Sequence, residues 1–210
     1  MLKPFLKIKK LKKTNIAIFA SGAGSNANKI IAYFKNHPKV NTRLLVSNKP
    51  NAGALRLAMD HGINTMTIDR HQFYEGESFI NTLREAQIDF IVLAGFLWKV
   101  PDNLVQAYIG NIINIHPALL PKFGGKGMYG AKVHESVIIA GEPESGITIH
   151  FVDEAYDHGK VIFQATCPVL KGDNAAQLAE KVHALEYKHY PVVIENIILK
   201  KFSEQLADQS

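Results

Sequence analysis

Asn15-Ile16-Ala17-Ile18-Phe19-Ala20-Ser21-Gly22-Ala23-Gly24-Ser25-Asn26 is an apolar run that stops in a glycine-punctuated polar turn. An uninterrupted apolar stretch of this length reads as a strand buried on both faces. Ser25-Asn26 reads as the opening of a helix to about Asn36. The alternation then repeats along the chain. Strands are expected over Arg43 to Ser47, Ile63 to Ile68, Asp89 to Ala94 and Asn111 to His116. Helices are expected over Ala52 to His61, Glu75 to Ala86 and Pro101 to Tyr108. After a long Gly-rich loop, Pro117 to Gly130, a helix is expected over Ala131 to Ala140. Ile147 to Val152 and Val161 to Thr166 lie close enough to pair antiparallel, and a closing helix runs from about Asn174 to Leu199.

Strands alternating with helices pair in parallel, with helices on both faces. The expected class is α/β: a mostly parallel, Rossmann-like sheet with a C-terminal antiparallel strand pair. No repeat or low-complexity linker divides the 210 residues. The expected organisation is a basic leader over 1–14, one domain over 15–200 and a tail over 201–210. A 47% hydrophobic and 20% charged composition excludes bulk disorder. The lone Cys167 can form neither an internal disulfide nor a Cys-rich metal site, which fits a reducing compartment, taken as the cytoplasm.

The formal charge is +5, but six of the basic residues are Lys3, Lys7, Lys9, Lys10, Lys12 and Lys13. Without them the acidic residues outnumber the basic ones by one. The basic character thus belongs to the leader, and no nucleic-acid partner is expected. No apolar stretch of ~7 or more residues follows these lysines, so no signal peptide is expected. No run of about 18 apolar residues occurs, so no membrane span is expected either.

Ligands of open parallel sheets sit beyond the carboxyl ends of the strands. Ser21 to Asn26 lies there, where glycines admit a ligand and a helix N-terminus offers free N–H groups to an anion such as phosphate. The same residues fit the loose dinucleotide pattern Gly-x-Gly-x-x-Ala ending at Ala27. That reading wants an acid after the second strand, and Val46-Ser47-Asn48-Lys49 has none, although Lys49 or Arg43 could favour a 2′-phosphate. A plain helix-capping turn is the other alternative. Asn114 and His116, two residues apart on a strand, project from one face at its carboxyl end. An amide beside an imidazole suits an oxyanion and a proton transfer. Asp157, in the loop Asp153-Glu154-Ala155-Tyr156-Asp157-His158-Gly159, is expected to raise the His116 pKa if it lies nearby. His134 and Glu135 form no zinc motif, because no second His lies four residues on, and no metal is expected.

Ser-Gly-Ala-Gly-Ser-Asn at 21–26, Leu-Ala-Gly-Phe at 93–96, Asn-Ile-His-Pro-Ala-Leu-Leu-Pro at 114–121 and the Asp157 loop resemble, in order, the phosphoribosylglycinamide formyltransferase family, a branch of the folate formyltransferase superfamily. The resemblance runs from 15 to about 200. It implies the formyltransferase fold and transfer of a formyl group from the cosubstrate 10-formyltetrahydrofolate to the amine of 5-phosphoribosylglycinamide, in de novo purine biosynthesis. Asn114 and His116 would stabilise the tetrahedral oxyanion, His116 would donate a proton, and Asp157 would assist the transfer. Gly24, Ser25 and Asn26 match the ribose-phosphate site, and Glu186 matches a residue holding the sugar. Leu97, Trp98, Lys99 and Val100 with Asp153, Glu154, Ala155, Tyr156 and Asp157 match segments enclosing the pterin, which Asn114 also borders. The resemblance leaves monomer and homodimer both open.

Departures from the family pattern concern three places. Arg70 or Arg84 could supply an arginine that some relatives direct at the folate, but neither aligns. The glycines of 123–130 suggest a mobile lid closing over the phosphate end, with Lys126 as an extra contact. His158 stands where relatives often carry Gly. Three alternatives stay open. The initiator methionyl-tRNA formyltransferase and the formyltetrahydrofolate hydrolase are disfavoured by chain length, and a Rossmann-type nucleotide-sensing module leaves Asn114, His116 and Asp157 without a purpose.

Overall fold

The computed structural model describes residues 13–207; of the leader lysines, those up to Lys12 lie outside the described residues. A seven-stranded sheet runs β3-β2-β1-β4-β5-β6-β7. β1 (Thr14–Phe19), β2 (Val40–Ser47), β3 (Asn64–Thr67), β4 (Phe90–Leu93) and β5 (Ile112–His116) are parallel. β6 (Glu144–Phe151) and β7 (Val161–Pro168) are antiparallel to their neighbours, as expected.

Side-chain alternation splits the core into two layers. Ile16, Ile18, Phe90, Val92, Ile113, Ile115, Ile147 and Ile149 pack on one face beneath helices α1 (Ser25–Phe34), α2 (Gly53–Asp60), α6 (Ala131–Ile139) and α7 (Ala175–Ala207). Ala17, Phe19, Ile91, Leu93 and Ile112 pack on the other, beneath α3 (Arg70–Tyr74), α4 (Ser78–Glu85) and α5 (Asp102–Ala107). Central strands without a polar side therefore read as continuous apolar runs.

Several element bounds differ from the expectation. β2 begins at Val40 and β6 at Glu144, both earlier than their apolar segments suggest, because the ladders extend into half-buried or polar residues. α3 lies between the expected strand Ile63 to Ile68 and helix Glu75 to Ala86, where no element is expected; Asp69 and Gln72 close a reciprocal capping box there, a signal visible in the sequence. α7 continues past Leu199 to Ala207 with Pro191 inside it, where packing on α1, α6, β6 and β7 outweighs the lost N–H. α1 starts without a side-chain cap: Gly24, at φ 85°, is the N-cap. A Cβ on Gly24 would sit 2.7 Å from the Ala54 Cα, so glycine lets α2 approach the turn.

His134 on α6 is 3% exposed, and its Nδ1 finds no hydrogen-bond partner among the described residues. Burial first, then the charges of His183 and His116, pull its pKa from 6.5 down to about 4. The unfolded ring takes a proton below pH 6.5 that the folded ring refuses until about 4. The folded state therefore loses stability progressively across that window as pH falls, by on the order of 3 kcal/mol at ~1.4 kcal/mol per unit. His134→Leu should lose less stability than the wild type between those pH values, measured by urea unfolding at both. Equal losses would contradict the assignment.

Candidate active site

The chain leaves β1 toward β2 and leaves β4 toward β5, so adjacent strands part company at their carboxyl ends and open a crevice. Asn114 and His116 share a face of β5 with Ile112, opposite Ile113 and Ile115. Antiparallel pairing sets His150 across from Asn114 and Thr148 across from His116. A polar patch thus spans two strands, covered by the loops after β5 and β6. Gly159 makes the second loop possible, since a Cβ there would collide with the Phe151 carbonyl, and Asp157 takes up φ 56°.

The three expected catalytic residues come together. Asp157 Oδ2 lies 3.6 Å from His116 Nδ1 and accepts the Gly125 N–H at 2.9 Å. Asn114 Nδ2 reaches Asp157 Oδ1 at 3.5 Å. His116 Nε2 is 2.7 Å from the Phe123 carbonyl. A carbonyl only accepts, so Nε2 carries the proton and Nδ1 of the neutral ring faces the carboxylate.

A fourth member, His150, escaped the sequence reading. Its Nδ1 donates to the Phe151 carbonyl at 2.8 Å, leaving Nε2 to accept from Asn114 Nδ2 at 3.2 Å. Nε2 also stands 3.6 Å from Asp157 Oδ1. The signal was the strand register, which sequence spacing does not supply.

The electrostatics correct one expectation. Burial is the largest influence on His116 and lowers its pKa; Asp157 and the Phe123 carbonyl pull it upward without winning, and the charge of His150 lowers it further. The expected net rise does not occur, because a ring 3% exposed loses more hydration than a carboxylate at 3.6 Å restores. Burial pushes Asp157 up, but its contacts with His150 and His116 and the hydrogen bond from the Gly125 N–H together hold it below the usual carboxylate range.

Asn26 Nδ2 donates to Glu186 Oε2 at 2.8 Å, joining α1 to α7 across 160 residues of sequence. Glu186 is 5% exposed, and burial raises its pKa. The His134 ring meets the His183 ring edge to face at 6.2 Å. Ser25 is exposed at the first turn of α1.

Trp98 packs against the second core layer with Phe96 and Val152, so the 97–100 and 153–157 segments border the same layer. Val100 is buried, Leu97 exposed, and Lys99 pairs with Asp102 at 3.2 Å. Gln106 on α5 binds Glu154, and Asp153 accepts the Ala155 N–H at 3.0 Å; Tyr156 is exposed. Beside Trp98 lies a cavity of about 460 Å³ lined also by Asn48, Thr67, Asp69, Arg70 and Gln72. Arg70 stacks over Trp98 and Tyr74, whereas Arg84 bonds Asn81 on its own helix. Among the described residues no group of three His, Cys, Asp or Glu is placed to hold a metal ion, and no helix is long and apolar enough to cross a membrane.

The formyl transferase family matches residues 14–194. The chloroplastic phosphoribosylglycinamide formyltransferase of Vigna unguiculata is 40% identical over 190 residues, covering 88% of this chain and 61% of that protein. The phosphoribosylglycinamide formyltransferase of Bacillus subtilis (strain 168) is 35% identical over 187 residues, covering 87% of this chain and 93% of that one. The crystal structure of phosphoribosylglycinamide formyltransferase from Anaplasma phagocytophilum is similar with a TM-score of 0.82 at 34% identity, over 90% of this chain and 88% of that one. This chain spans 61% and 65% of the length of two plant relatives.

In an imidazole titration followed by NMR, His116 should show a midpoint below 6.5. Asp157→Asn removes an upward influence and should lower that midpoint further; an unchanged or raised value would contradict this balance of burial and charge.

Proposed function

Because this chain belongs to the formyl transferase family, we propose that it transfers the formyl group of 10-formyltetrahydrofolate to the amine of 5-phosphoribosylglycinamide, a step of purine biosynthesis. The carrying observation is the convergence of Asn114, His116 and Asp157 at one end of β5.

Attack of the amine on the formyl carbon places negative charge on the formyl oxygen. Asn114 Nδ2–H and His116 Nε2–H are the donors suited to hold it. Without substrate these hydrogens are directed at His150, Asp157 and the Phe123 carbonyl. The substrate oxygen takes the place of the Phe123 carbonyl, so segment 123–125 shifts on binding. Asp157, kept ionised below the usual carboxylate range, accepts the proton lost by the attacking nitrogen and returns it to the departing folate nitrogen. His150 orients the Asn114 amide by accepting one of its hydrogens.

Gly24, Ser25 and Asn26 receive the phosphate and ribose end, with Glu186 on the sugar. A flat pterin fits between segments 97–100 and 153–157. The cavity beside Trp98, where the Arg70 guanidinium stacks, suits the carboxylates of the folate tail and favours Arg70 over Arg84. The lone Cys167 supports a reducing compartment, the cytoplasm in this reading.

The test follows tetrahydrofolate and formylated product separately, with and without the ribonucleotide. Equal formation of both, dependent on the ribonucleotide, is expected. Folate release without ribonucleotide would instead identify a hydrolase, and absence of any reaction would overturn the proposal. Asn114→Ala should lose ~10²–10³ in turnover while keeping its circular dichroism; an active variant would remove Asn114 from its role. Arg70→Ala should raise KM for the formyl donor alone, and an unchanged donor KM would exclude it from the folate site.

A further inference from the structure

We propose that Ser21 is a positioning residue that ties the wall segment 97–100 to the glycine turn after β1, so that one hydroxyl sets how the two substrates face each other. The proposal rests on the reaction assigned above.

Ser21 is 2% exposed and lies two residues beyond the end of β1. Up to that point the ladder holds the strands together: Ala20 N–H donates to the Val46 carbonyl, and Ala94 N–H to the Phe19 carbonyl. Past these bonds Ser21 continues the connection through both its backbone and its side chain. Its N–H donates to the Gly95 carbonyl at 3.0 Å. Its Oγ–H donates to Asn48 Oδ1 at 2.6 Å, and its Oγ accepts the Leu97 N–H at 2.9 Å. A hydroxyl has one hydrogen and two lone pairs, so both bonds coexist. The segments after β1, β2 and β4 thus meet on a single side chain.

Segment 97–100 has no ladder of its own between β4 and α5. Side chains hold it from outside: Ser21 at the Leu97 N–H, and Tyr74, whose hydroxyl donates to the Lys99 carbonyl at 3.0 Å. Cutting the first tie leaves the Leu97 N–H and Asn48 Oδ1 without a partner inside the fold and lets the wall relax toward solvent. Reaction rates fall steeply when reacting groups are misplaced by about 1 Å.

Trp98 is the only tryptophan in the sequence and follows Leu97 directly, so its fluorescence reports the position of the wall without substrate. In the full-length protein, Ser21→Ala should expose Trp98 to acrylamide quenching beyond the wild type. It should raise donor KM on the order of tenfold, the equivalent of one lost hydrogen bond, while ribonucleotide KM stays within about twofold. Asn48→Leu, which removes the acceptor of the Ser21 hydroxyl, should also increase quenching, and Asn48→Asp, which keeps an acceptor, should restore the wild-type value. Quenching and donor KM unchanged in Ser21→Ala, with quenching unchanged in Asn48→Leu, would overturn the proposal. So would a parallel rise of both KM values with loss of circular dichroism, the mark of a general structural role. A wild-type protein that transfers no formyl group would overturn the reaction alone, and Trp98 quenching would still decide the role of Ser21.

Discussion

Sealing the central strands on both faces with aliphatic side chains is the constraint on which the rest depends. A strand such as β4, buried above and below, has no side on which to carry chemistry, so polar function is driven to the strand ends. The two edges of the sheet answer differently. At the amino edge Asn15 donates its N–H to Asp89 and its Nδ2–H to the Gln87 carbonyl, and Asn41 donates to Asn15, so the polar groups close on one another. At the carboxyl edge the order β2-β1-β4-β5 separates the outgoing chains, and the polar groups line a crevice instead.

Within that crevice burial and charge oppose each other. His116 and His150 are nearly inaccessible, and each commits one N–H to a backbone carbonyl; for His116 burial outweighs the nearby carboxylate and lowers the pKa. Their remaining nitrogens turn toward the same carboxylate. The donors that favour the charge of Asp157 despite its own loss of hydration include the Gly125 N–H and the Asn114 amide. The outcome is a carboxylate held low beside a His116 whose pKa burial lowers, the opposite of the rise expected when only the proximity of Asp157 is considered.

The long closing helix contributes to the site as well as to packing. Tyr190 is fully buried, and its hydroxyl donates to the Leu93 carbonyl at 2.8 Å, at the end of β4. Glu186 lies one turn earlier on the same face. Anchoring Tyr190 to a strand end therefore fixes the height at which Glu186 meets Asn26. This placement outweighs the cost of a proline in the next position of the helix.

Alternating apolar runs and amphipathic segments carried enough information for the α/β class, the parallel core, the antiparallel addition and nearly every element, because those features depend on neighbours in sequence. The placement of Asn114 and His116 on one face followed from the two-residue period of a strand. The capping box at Asp69 and Gln72 was equally local and could have revealed α3. What only the tertiary structure decided involved partners distant in the chain: the register that sets His150 against Asn114, the Asn26–Glu186 bond, the three segments joined at Ser21, and the stacking of Arg70 rather than Arg84 beside Trp98. The direction of the His116 shift belongs with these. Local sequence specifies which groups are present and which way a strand or helix turns them, but hydration lost on burial and distances between remote residues exist only once the chain has packed.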